Sequence, residues 1–199
     1  MEGIYFYWFS WLCWVFTTFL MKKCKERTIS SFVLLLSITV SNQFLQIAGY
    51  SVHASFLVLL LFSFIFLTKA KGLRLGYYLF CSLIITIGYA SFQLFELFDP
   101  VWLIIDRKWL LAFVMLYLTL MLIEDFYYRV SLAIIGVCNG ELLYSFILKK
   151  FSFYIEIGDF PFLDALAVII FFIVSWSSFE KLAQFFEATF HKGKARRVQ

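Results

Sequence analysis

Seven apolar runs, separated by short charged or turn-forming connections, occupy most of the 199 residues and restrict the fold more than any other feature. Inside lipid a chain can satisfy its own backbone polar groups only as helices or as a closed barrel, and about 20 helical residues cross the hydrocarbon. The runs predict helices over about 3–21, 28–50, 52–68, 75–95, 104–123, 130–148 and 162–179. With 63% hydrophobic residues and a mean hydropathy of +0.88, the chain carries too much apolar surface for one soluble core. The connections leave no room for a soluble domain, so residues 1–199 are expected to form a single transmembrane domain.

The positions of the basic residues predict the orientation. The first run follows Met1-Glu2, with no basic flank before it, and precedes Lys22, Lys23, Lys25 and Arg27. It therefore reads as a retained anchor with its N-terminus outside. The fifth run is the shortest, because Asp106-Arg107-Lys108 leaves only Trp109 to Ile123 uncharged. Counting it as a span places thirteen Lys and Arg inside and four outside, whereas omitting it gives nine and eight. The strong bias selects seven spans with a cytoplasmic C-terminus. The basic residues thus serve topology, and no nucleic-acid partner is expected.

Arg129 to Lys149 stands out within this frame. Its nineteen intervening residues carry one acid, Glu141, together with Asn139 and a Gly136–Gly140 pair that allows a neighbouring helix to approach closely. At about 100° per residue Asn139 and Glu141 address different neighbours, so this helix belongs inside the bundle. An ionised carboxylate near mid-bilayer costs at least about 2.5 kcal/mol, so Glu141 is neutral, paired or hydrated, and is a candidate functional group. Asn42, Gln43, Gln46, His53, Gln93 and Glu96 fall in the same outer band as Glu141. Gln43 with Gln46, and Gln93 with Glu96, would each share a helix face and could line an outward-facing polar cavity. The competing expectation is that the amides only bond neighbouring helices, that His53 lies at the surface, and that the glycines only pack.

Signatures of catalysis are absent: the chain has no HExxH, GxSxG, CxxC or glycine-rich phosphate loop. His53 and His191 fall on opposite sides, which excludes a bis-histidine haem or a histidine-rich metal site, and no lysine lies mid-helix in the last run for a retinal Schiff base. The chain is therefore expected not to be an enzyme and to hold no cofactor or metal. The four cysteines lie in apolar runs or among lysines and read as free thiols. The tail Lys192, Lys194, Arg196 and Arg197 could add binding of anionic lipid to its topogenic role.

The opening MEGIYFYWFSWLCWVFTTFLMKK, with Glu2-Gly3, a Tyr–Trp cluster and a basic stop, resembles the YphA family of small multi-pass membrane proteins of Bacillus-type bacteria. The resemblance implies a bacterial plasma membrane and no particular activity. The expected fold is an all-α, seven-helix integral membrane bundle. Two functions remain open. One is a small transporter or permeation-type protein whose binding residues are Glu141, Glu96, Gln93, Gln43 and Asn139. The other is a membrane-embedded scaffold or sensor that recruits a membrane protein or a second copy of itself.

Overall fold

The computed structural model describes residues 2–47, 49–68, 70, 72–98, 106–151, 153 and 156–196, with side chains described as far as 187 except that of Glu26. The readings that involve Lys69, Lys71, Asp99-Pro100, residues 104–105 and the side chains of the basic tail lie outside the described residues. The elements run α1 Ile4–Val15, continued by a π-helical turn Phe16–Leu20, then α2 Lys25–Val40, β1 Phe44–Ile47, β2 Tyr50–His53 and α3 Ala54–Leu67. They continue as α4 Leu73–Phe98, α5 Arg107–Leu122, α6 Phe126–Lys150 and α7 Phe160–Arg196. The chain is a helical membrane protein in which α4, α6 and Phe160–Glu187 of α7 are long and apolar enough to cross a bilayer.

The second expected helix is corrected. It ends at Val40 rather than near 50, and β1 and β2 pair as an antiparallel hairpin with Ile47 opposite Tyr50. Thr39 and Val40 are β-branched, and the Ser41-Asn42 that follows offers the backbone side-chain bonds that compete with helical ones. The Ser41 hydroxyl bonds back to the Ile38 carbonyl at 2.8 Å and meets the Tyr7 hydroxyl at 2.7 Å. Amides expected along a helix therefore mark its exit. The hairpin is extended on its other side by Ile157, which receives the His53 N–H and donates to the Ser51 carbonyl, both at 2.9 Å. The seventh helix is longer than expected and continues without a break past 179 as an extension to Arg196.

α6 is the central element and packs against α3, α4, α5 and α7. Its closest neighbour is α4. A Cβ at Gly136 would lie 2.5 Å from Ile85 Cγ2, and one at Gly140 would lie 2.7 Å from Tyr89 Cδ1, so only glycine admits the two helices at this spacing. The glycine edge is filled from within the bundle. Side chains fill the core between these helices, with Ile85, Tyr89, Leu132, Ile135, Leu163 and Ile169 fully buried. Large apolar side chains remain outside, among them Trp8, Phe19, Phe80 and Phe113, which suits a molecule solvated by lipid.

Two buried charges tie the helices at opposite ends. Asp164, with no exposed surface, accepts the N–H groups of Gly3 at 3.0 Å and Phe6 at 2.9 Å and the Lys108 ammonium at 2.9 Å. It joins the starts of α1, α5 and α7. Arg129 at the far end donates to the carbonyls of Ile123 and Glu124, to Ser177 Oγ and to Glu180. It fixes the α5–α6 connection against α7.

Candidate functional site

Tyr89, Gln93 and Glu96 occupy one stripe of α4, because spacings of four and three residues return to the same helix face. Gly140 lets the Tyr89 ring lie against α6. The tyrosine hydroxyl is then 2.8 Å from Oε2 of Glu141, the next residue on α6. Gln93 Nε2 reaches Tyr89 Oη at 3.0 Å, and Arg107 Nη2, at the start of α5, reaches Gln93 Oε1 at 2.6 Å. Arg107 Nε also lies 3.0 Å from Glu96 Oε2, an ionic contact without the alignment of a hydrogen bond.

The chemistry of the groups gives this chain one direction. A guanidinium can only donate, so the glutamine oxygen faces Arg107 and its amide nitrogen faces Tyr89. Tyr89 receives that bond and directs its single hydroxyl proton to the carboxyl group. Every donor therefore points toward Glu141, and a positive charge stands at the opposite end. Tyr89, Gln93 and Glu141 are buried, whereas the Arg107 side chain is 46% exposed and links the chain of bonds to the molecular surface. Ser145, one turn along α6 from Glu141, has a buried hydroxyl with no hydrogen-bond partner among the described residues.

Three of the five expected site residues, Glu141, Gln93 and Glu96, therefore come together. Asn139 is half-buried on α6, outside this chain of bonds. Gln43 is corrected: it is exposed in the turn between α2 and β1, where its carbonyl accepts the Ala54 N–H at 2.9 Å, and Gln46 is exposed on β1. Neither shares a helix face with the other, because the helix has already ended. His53 is also corrected, being only 2% exposed. Its Nδ1 donates to the Ser41 carbonyl at 3.1 Å, and Nε2 faces Glu156 at 3.7 Å.

Two members of the site were not foreseen. Tyr89 stands four residues before Gln93, a spacing that signals a shared face. Arg107 carried no such signal, since its role depends on how α5 folds back against α4. Two hollows, of about 720 and 250 Å³, lie along α1 and α2, and neither is lined by a member of the Arg107–Glu141 chain. Gln93 and Glu96, expected to line an open cavity beside Glu141, are instead joined to it through Arg107 and Tyr89.

Asp159 caps the start of α7, its Oδ1 accepting the Phe162 N–H at 2.9 Å. Burial holds its carboxyl above the ordinary value, and the Phe162 N–H opposes part of that shift. Among the described residues no group of three or more His, Cys, Asp or Glu is arranged to hold a metal ion.

No solved structure matches the chain. The "Uncharacterized protein YphA" of Bacillus subtilis (strain 168) is 33% identical over 184 residues, covering 92% of this chain and 91% of that protein. The family described as "YphA-like integral membrane protein" matches residues 2–199. The lipid-facing surface and the plasma-membrane location follow from that match and from the spanning helices, and the chain belongs to the YphA-like integral membrane protein family.

Proposed function

We propose that this protein spans the plasma membrane seven times, with its N-terminus outside and its C-terminus in the cytoplasm, and conducts a proton or small cation through Glu141 without enzymatic activity. The observation that carries the reading is the one-way chain of donors from Arg107 to a buried carboxyl group. An acid can exchange its proton at this depth only if the ionised form is compensated, since the uncompensated charge costs at least about 2.5 kcal/mol. Tyr89 supplies a directed hydrogen bond, and Arg107 supplies the opposite charge through Gln93. A proton arriving on Oε1 leaves Oε2 free to keep accepting from Tyr89, so the scaffold holds in both states. The unpartnered Ser145 hydroxyl on the same face is a further polar group for the cargo.

The alternative, a scaffold or sensor that recruits another membrane protein, loses the Gly136–Gly140 edge, which α4 occupies. It keeps the α7 extension and the basic tail, through which a partner, a second copy or anionic lipid would be held. Flux separates the two. In vesicles containing a pH-sensitive dye, the reconstituted parent should dissipate an imposed proton or cation gradient and Glu141→Gln, which keeps shape and hydrogen bonding, should not. Absence of flux in both proteins, with unchanged capture of membrane partners, would eliminate transport.

A further inference from the structure

We infer a binding site for an anionic phospholipid between the end of α1 and the start of α2, far in sequence from Glu141 and independent of its role. A hollow of about 250 Å³ opens there, lined by Trp14 and Thr18 from the first helix and by Arg27, Thr28, Ser31, Phe32 and Leu35 from the second. Its two walls share one gradient. On α2 the lining passes from Arg27 and Thr28 through Ser31 to Phe32 and Leu35, and on the first helix from Thr18 in its π-helical turn to Trp14 on α1. Arg27 and Leu35 are eight residues apart, about 12 Å of helix, so the hollow is polar at the turn and apolar toward the bilayer interior. A free anion has no use for the apolar half; a phosphodiester with an acyl chain matches both.

The polar end is built to face a phosphate. Arg27 Nη1 is held by the carbonyls of Thr18 at 3.4 Å and Met21 at 3.5 Å, which leaves Nε and Nη2 outside both bonds. Ser31 Oγ is steadied by Thr17 Oγ1 at 3.2 Å and Thr18 Oγ1 at 3.4 Å, so a fixed serine, one turn along α2 from Arg27, joins it in the lining. Residues 22–27 carry four basic side chains against one acid, and Lys22, Lys23 and Lys25 are exposed in the stretch that leads into Arg27. Planar guanidinium donors suit a phosphate, and a juxtamembrane basic cluster attracts anionic headgroups. The exposed Phe32 and Leu35 would lie along the acyl chain.

The test uses the full chain purified in neutral detergent, with lipid retention read by native mass spectrometry against phosphatidylglycerol and phosphatidylcholine. The parent should retain phosphatidylglycerol preferentially, and Arg27→Gln should lose about fivefold or more of that preference. Thr28→Trp, which fills the hollow without altering charge, should lose it too, and decides the matter if Arg27→Gln does not fold. Lys23→Gln removes a charge outside the hollow and should keep most of the preference. Equal losses in Lys23→Gln and Arg27→Gln would mean diffuse attraction and overturn the site, as would full retention in Thr28→Trp. Displacement of the lipid by inorganic phosphate, beyond that caused by chloride at the same ionic strength, would show that the hollow reads a free anion and overturn the lipid assignment.

Discussion

Asp159 and Asp164 are five residues apart, yet they meet different surroundings. Asp164 is fully buried but receives two backbone N–H groups and an ammonium, whereas Asp159 is partly buried with a single N–H. Burial dominates at Asp159 and holds its carboxyl above the usual value in the folded protein. The folded state then binds a proton more readily than the unfolded one, so this residue's contribution is fully present below the ordinary carboxylate range. It is lost as pH rises through the raised folded value. Asp159→Asn keeps an acceptor for the Phe162 N–H and removes the ionisation. Thermal melting should show the variant equal to or more stable than the parent at neutral pH, with the difference shrinking as pH falls below about 4. A variant that is less stable at neutral pH would show that the carboxylate is favourable where it stands.

Among the elements, the α4–α6 contact carries both packing and site. Gly136 and Gly140 bring the helices together, and the same approach delivers the Tyr89 hydroxyl to Glu141. Gly140→Leu places a branched side chain where even a Cβ would lie 2.7 Å from the tyrosine ring. Overpacking of this kind typically costs about 1–3 kcal/mol, so less folded protein should accumulate in the membrane and its melting temperature should fall. Melting like the parent would mean that α4 and α6 do not pack on this edge. α2 shows the opposite lesson. Its sixteen residues reach about 24 Å, less than the hydrocarbon thickness, and the hairpin continues the chain toward the interface with Phe44, Leu45 and Ile47 exposed. Pairing to β2 satisfies part of the backbone that the lost helix would have satisfied.

For the whole molecule, one end collects the Asp164 tie, the His53–Ser41 bond, the Arg107–Glu141 chain and the Lys149 contact with the Gly49 carbonyl at 3.2 Å. The opposite end holds Arg129 with Ser177 and Glu180. In the proposed orientation, which puts thirteen basic residues inside and four outside, the first end faces outward. A reporter active only in the cytoplasm should work when fused after Arg197 and fail when inserted near Asp159. Equal activity at both places would overturn the seven-span arrangement.

Much of this was legible without coordinates. Apolar runs of this length leave a chain no option but membrane helices, because lipid offers the backbone no hydrogen bonds. Glu141, Gln93 and the Gly136–Gly140 edge were visible because a lone acid, an amide and paired glycines stand out against such a background. Partners could not be read: the sequence does not say that Gly140 faces Tyr89, or that Arg107 returns to bond Gln93 fourteen positions earlier. The exit of α2 at Val40 was equally hidden, since amides such as Gln43 and Gln46 suit a buried helix face and an exposed turn alike. That choice depends on what packs beside them, and here His53, holding the Ser41 carbonyl, and Ile157, bonded to β2, favour the hairpin over another helical turn. The sequence alone settled the kind of molecule through hydrophobicity, which is a property of single residues. Contact between distant segments decided which polar groups meet, and only the tertiary structure contains that.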